Sequence, residues 1–221
     1  MVPSSISLPD IDLTPASVMA FAAAAAVLAW ASRGLPWYKL RGDPEAQRVL
    51  LLAALALAVM RVFNTHALAG VDLHFLGATA VCLMFGPRFA LWSMATVSLA
   101  AWVMGCAWRG WAPDFLVCGL LPVLATEAVG RYIEPRLPAN PLIYVWVRGF
   151  LGGALAIAAS NLAKAGVAWW LDEAATAAYL VATPPMMFGE GFFCGGAMAL
   201  IVVYRPQWCA SFDDARYLRP R

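Results

Sequence analysis

Residues 142–171 read LIYVWVRGFLGGALAIAASNLAKAGVAWWL. An apolar helix of about 20 residues crosses the hydrocarbon of a bilayer, about 30 Å thick, and this run exceeds that length with room for tilt. The rest of the chain agrees with it. Of 221 residues, 62% are hydrophobic and 13% are charged, with mean hydropathy +0.72. A soluble domain carries about a quarter charged residues, so the deficit marks an all-α integral membrane protein rather than an enlarged soluble core. The net charge of +2 gives no basis for nucleic-acid binding or for an acidic substrate. Where the charges sit is the informative part.

Apolar runs between breakers predict a bundle of about seven spans: 17–32, 49–63, 73–85, 89–107, 115–129, 142–171 and 185–204. The whole chain, 1–221, then forms one polytopic membrane domain. Residues 1–16 are an extracytoplasmic leader and residues 205–221 a polar cytoplasmic tail lying along the membrane surface. The leader SSISLPDIDLTP is acidic and lacks the basic start of a signal peptide, so the first span is expected to be retained. Within it, Ala22 and Ala26 form a small-xxx-small pair that another helix could approach closely.

Loop charges orient the bundle. Arg33, Lys39, Arg41 and Arg48 fall between spans one and two, Arg88 between three and four, and Arg131 and Arg136 between five and six. Arg205, Arg216, Arg219 and Arg221 follow span seven. The alternate loops hold Arg109 but are otherwise acidic: Asp10, Asp12, Asp72, Asp114, Asp172 and Glu173. Cytoplasmic loops collect Lys and Arg, which predicts the amino terminus outside and the carboxyl terminus in the cytoplasm.

Chemistry-bearing residues are few. In VDLHFLGATAVCLMFGP, residues 71–87, an acid and an imidazole sit at the mouth of the third span. On a helix, His74 shares a face with Gly77, Ala78, Val81 and Cys82, a stripe of mostly small side chains that pack between helices. Asp72 reads as the N-cap of that helix or as a ligand beside His74, and His66 in the preceding loop is a third candidate. Lys164 and Glu190 lie at similar depth in spans six and seven, where an ion pair would lower the cost of burying each. Glu127 and Arg131, four residues apart, suggest a local pair. Cys82, Cys106, Cys118, Cys194 and Cys209 share no CxxC spacing and read as small apolar side chains.

The stretch FNTHALAGVDLHFLGATAVCLMFGPRFALWSM resembles the CbiM/NikM family, the substrate-binding membrane components of energy-coupling factor importers for cobalt and nickel. Asn64, Gly70, His74, Gly77, Gly86 and Pro87 carry the likeness. The leader resembles the family's start through Pro9, Asp10 and Pro15. The resemblance implies a seven-span bundle in the bacterial cytoplasmic (inner) membrane. It implies no enzymatic activity and no tightly bound cofactor, but a transported divalent metal, cobalt or nickel. It also implies a coupling transmembrane subunit and ATPase subunits as separate chains. The family's amino-terminal His has Ser7 in its place here, which leaves His74 as the ligand that carries over, with His66 and Asp72 as candidates to complete a site.

No G-x-x-x-x-G-K-[ST], G-x-S-x-G, H-E-x-x-H or C-x-x-C-H occurs, so the common ATPase, hydrolase, zincin and haem signatures are lacking. Two functions remain open: a substrate-binding, permease-like importer subunit, or a non-transporting membrane subunit that kept the fold and lost the metal site. A membrane-embedded enzyme using Lys164 and Glu190 has no motif behind it.

Overall fold

The computed structural model describes residues 14–62, 71–171 and 173–217. Among them the chain is helical, without a β-sheet. The helices of eight or more residues are α1 (Pro15–Ser32), α2 (Pro44–Val62), α3 (Ala78–Phe85), α4 (Pro87–Val103), α5 (Trp111–Arg136), α6 (Pro141–Trp170) and α7 (Ala175–Tyr204). Four of them, α1, α5, α6 and α7, are long and apolar enough to cross a membrane.

Local chemistry explains the starts. Pro15, Pro44, Pro87 and Pro141 each stand at the first turn of a helix, where a missing N–H has no intrahelical partner to lose. Thr14, Asp43 and Asn140 cap α1, α2 and α6 by accepting from the backbone N–H of Ser17, Ala46 and Leu142. Two helices contain wider π turns, at Phe115–Leu120 and Val129–Ile133 of α5 and at Val145–Leu151 of α6.

The α6–α7 seam is the tightest in the bundle. A Cβ on Gly153 would lie 2.9 Å from the carbonyl oxygen of Glu190, and one on Gly149 would lie 3.0 Å from Cα of Gly195. Glycine lets the two backbones approach where any side chain would hold them apart.

α7 begins ten residues before the expected span and runs unbroken through Pro184 and Pro185. Proline normally ends a helix because it removes a donor and restricts the residue before it. Here the helix continues through both prolines, as membrane helices allow where neighbouring groups surround them, and Thr183 Oγ1 donates to the Tyr179 carbonyl one turn back at 2.7 Å.

α3 is the centre of the molecule. Its eight residues span only about 12 Å, and Ala78 to Met84 are all buried. The expected helix over 73–85 therefore starts five residues late, and 71–77 approaches as irregular backbone. Such backbone is tolerated at membrane depth only where protein surrounds it, and the site below shows what surrounds it.

The tail packs against the end of α3: Ala210 N–H donates to Met84 O at 2.9 Å, and Ser211 N–H and Oγ donate to Leu83 O at 3.2 and 2.8 Å. Cys209, Phe212 and Tyr217 are buried around Tyr144. In α1 the inward face is Ala24, Leu28 and Ala31, while Ala22 and Ala26 are exposed.

Candidate functional site

The segment 71–77 is bound on both flanks by charged side chains that sit inside the bundle. Lys164 Nζ, on α6, donates to the Asp72 carbonyl at 3.1 Å. The Asp72 N–H donates to the Tyr179 hydroxyl of α7 at 3.2 Å. Glu190, on α7, accepts from the N–H groups of Leu76 and Gly77 at 2.9 and 2.7 Å, and Cys194 Sγ donates to it at 3.4 Å. Lys164 and Glu190 thus take backbone partners rather than each other, which corrects the expected ion pair. Each neutralises part of the cost of burying peptide groups that no helix serves.

Gly77 makes the turn into α3 possible. Its φ of 62° is left-handed, and a Cβ there would lie 2.2 Å from Leu57 Cδ2. Because helix begins only at Ala78, the helical face assigned to His74 does not exist, and Asp72 is not an N-cap; Gly77 takes that position.

His74 is nevertheless buried, and the loop aims it inward. Its Nδ1 lies 3.2 Å from the Phe75 carbonyl, a bond that places the proton on Nδ1 and the lone pair on Nε2. Two groups from two helices meet that lone pair, and a carboxylate joins them through the first. Arg61, near the end of α2, donates to Nε2. Its other amino group pairs with Asp114 Oδ1 on α5. Cys118, also on α5, has Sγ 3.9 Å from Nε2 and accepts from Ser160 Oγ of α6 at 3.7 Å. Asp114 Oδ1 accepts as well from the Trp108 N–H at 3.0 Å, while its Oδ2 is buried without a hydrogen-bond partner. The π turn at Phe115–Leu120 contains Cys118 and directly follows Asp114; such turns recur at functional sites because they re-aim side chains.

One donor atom each from His74, Asp114 and Cys118 lies within 4.8 Å of the others, all three residues buried. Donors of a single ion stand about 3–4 Å apart, given bond lengths of about 2.0–2.3 Å. The set is close to what one ion would gather, in a pocket of nitrogen, oxygen and sulfur donors.

A polar cavity of about 360 Å³ opens next to this cluster, lined by Asp72, Trp108, Arg109, Lys164, Glu173 and Tyr179. An Arg109–Glu173 ion pair closes one side of it.

A family model described as cobalt uptake substrate-specific transmembrane region, CbiM, matches residues 8–208. The chain belongs to the CbiM family. No curated protein and no solved structure matches it. It is a multi-pass membrane protein of a transport family, not of an enzyme family.

Of the residues singled out from the sequence, His74 stands in the cluster of donor groups, and Asp72 contributes its backbone next to it. Gly86 and Pro87 form the turn from α3 into α4, with Gly86 at φ 89°. Asn64, His66 and Gly70 lie outside the described residues. Arg61, Asp114 and Cys118 escape sequence reasoning. Arg61 is an intramembrane charge at the end of an apolar run, which is a functional signal in itself. Asp114 and Cys118 are spaced i, i+4 at the start of another run, a spacing that puts both on one helix face. Cys118 is therefore more than an apolar filler. Glu127, expected to pair with Arg131, instead faces Arg148 of α6 at 3.9 Å.

Proposed function

We propose that this chain is the substrate-binding membrane component of an energy-coupling factor importer and that its cargo is a divalent transition-metal cation of the cobalt or nickel class. The observation that carries the proposal is the convergence of His74 Nε2, Asp114 and Cys118 Sγ, buried together where α2, α5, α6 and the 71–77 segment meet. The imidazole is held in the ligating tautomer by its Nδ1 bond to a carbonyl, the usual support of a metal-binding histidine. Mixed imidazole, carboxylate and thiolate donors suit borderline transition metals and disfavour magnesium and calcium. The donor set replaces the family's amino-terminal histidine, whose position holds Ser7, with groups from α5.

In this reading the bundle lies in the bacterial inner membrane with the amino terminus outside, and α3 with the 71–77 segment before it makes the third passage. Exposed aromatics support it: Trp169 and Trp170 project at one end, and Trp30, Trp37, Tyr132 and Tyr204 at the other, as interfacial belts do. The polar cavity beside Lys164 is then the outer vestibule. Release to the cytoplasm depends on a coupling membrane subunit and ATPases supplied as separate chains.

Metal content of detergent-purified protein, incubated with cobalt, nickel, zinc and copper and then desalted, tests the proposal. One equivalent of metal that vanishes in His74→Ala supports it; no retained metal in the wild-type chain overturns it. A second reading is a non-transporting subunit with a lost metal site. It has one observation in its favour, that Arg61 already occupies His74 Nε2 and Asp114 Oδ1. Copurification without ATPase subunits, together with no metal, would select it.

A further inference from the structure

The donor cluster is not an open hole, because a cation already stands in it. Arg61 reaches His74 Nε2 with one amino group and Asp114 Oδ1 with the other, so its guanidinium holds the space between imidazole and carboxylate that an ion would need. We propose that Arg61 is a tethered cation that fills the cargo site, and that metal capture is an exchange in which the guanidinium leaves as the metal enters. This inference rests on the metal-binding reading above and concerns a residue that takes no part in ligation.

Charge balance supports the exchange. With Arg61 in place, one guanidinium faces one carboxylate, beside a neutral imidazole and the Cys118 thiol. With a divalent ion in place, two positive charges face the Asp114 carboxylate and the Cys118 thiolate. The thiol proton passes to water as the sulfur ligates, since metals bind the deprotonated form. The site is neutral in both states, so neither leaves an uncompensated charge in the bundle. A bound ion and Arg61 together would instead place like charges side by side.

The tether can yield because of where it is attached. Among the described residues of α2 the buried side chains are Leu57 and Arg61, whereas Leu51, Leu52 and Leu55 face outward. α2 thus lies at the edge of the bundle, with the partly buried Ala53 and Met60 packed beside these two side chains. Within the site, the guanidinium Nε is buried without a partner, a cost that leaving would relieve. At its other end α2 meets the tail, where Trp208 Nε1 donates to Glu45 at 2.7 Å. Expulsion of Arg61 would therefore remove the polar tie at one end of a helix whose opposite end touches the carboxyl-terminal segment.

The test uses the full chain in detergent and cobalt(II) as probe, with two readouts. In the first, wild type is treated with an arginine-selective dicarbonyl with and without cobalt, and peptides are mapped by mass spectrometry. Arg61 should resist modification without metal and become modified when cobalt is bound. Cobalt bound at full stoichiometry with Arg61 still protected would overturn the exchange while leaving the metal reading intact. In the second, Arg61→Met should bind cobalt about ten- to a hundredfold more tightly than wild type, the scale expected for removing a charged hydrogen-bonding competitor. Arg61→Lys, which keeps a cation, should stay within a few-fold of wild type. Equal affinity in Arg61→Met and wild type would also overturn the exchange. No cobalt bound by any of the three would bring down the metal reading and the exchange together.

Discussion

Arg61 and Asp114, 53 positions apart in sequence, form a buried ion pair whose guanidinium also reaches His74. Other groups bring the partners together: Trp108 N–H holds the carboxylate, and Lys164 and Glu190 hold the loop that carries the imidazole.

Breaking that pair from the carboxylate side should be expensive. Asp114→Asn leaves Arg61 charged and without its counter-ion, which costs about 3–5 kcal/mol in buried settings. Glu173→Gln removes the half-exposed partner of Arg109 and should cost less than about 1 kcal/mol. Thermal unfolding in detergent, followed by tryptophan fluorescence, checks both; equal shifts would contradict the assignment of Arg61–Asp114 to the interior.

Glu190 accepts two backbone N–H groups at the entrance to α3. Glu190→Gln keeps one acceptor oxygen but sets an amide NH₂ against the other donor. Stability should fall by about 1–3 kcal/mol, and metal affinity should fall with it because His74 loses its fixed position. Calorimetric titration with cobalt beside the melting experiment measures the two effects, and unchanged values for both would refute the clamp.

Gly77 faces two separate restrictions, a left-handed backbone and the Leu57 methyl. Gly77→Ala should destabilise by about 1–2 kcal/mol for the backbone alone, with overpacking adding about 1–3 kcal/mol. Pairing it with Leu57→Ala should recover the overpacking share and leave the backbone share. A double-mutant cycle in the melting assay separates them, and strict additivity would contradict the contact.

Tyr144 ties the tail to α6 through its hydroxyl, which meets Ser211 Oγ at 2.6 Å and Cys209 Sγ at 3.0 Å. Tyr144→Phe should loosen the tail and speed labelling of the buried Cys209 by a maleimide severalfold. Labelling at the wild-type rate would show that the aromatic contacts with Phe212 and Tyr217 suffice.

The helices are legible in the sequence because long apolar runs announce them, and each expected span has a helix of the structure over most of its length. The exceptions have local causes. LHFLGATAVCLMF reads as one run, but its glycine adopts φ 62° and cuts the helix to eight residues. Pro184 and Pro185 read as a boundary, but the helix runs through them, as membrane helices packed against neighbours can. The depth of Lys164 and Glu190 is readable; their partners are not, because a backbone N–H or carbonyl has no signature in sequence. His74 is identifiable by family likeness. Arg61 comes from one run and Asp114 and Cys118 from another, and only the folded chain shows, through the Arg61–Asp114 pair, that they belong to one site.

X-ray absorption at the cobalt edge of the loaded protein tests the central claim most directly, since it reads the donor atoms themselves. The account predicts a first shell of nitrogen and oxygen with one sulfur at about 2.3 Å, the usual thiolate distance, and loss of the sulfur in Cys118→Ser. A first shell of nitrogen and oxygen alone in the wild-type chain, unchanged by Cys118→Ser, would contradict it.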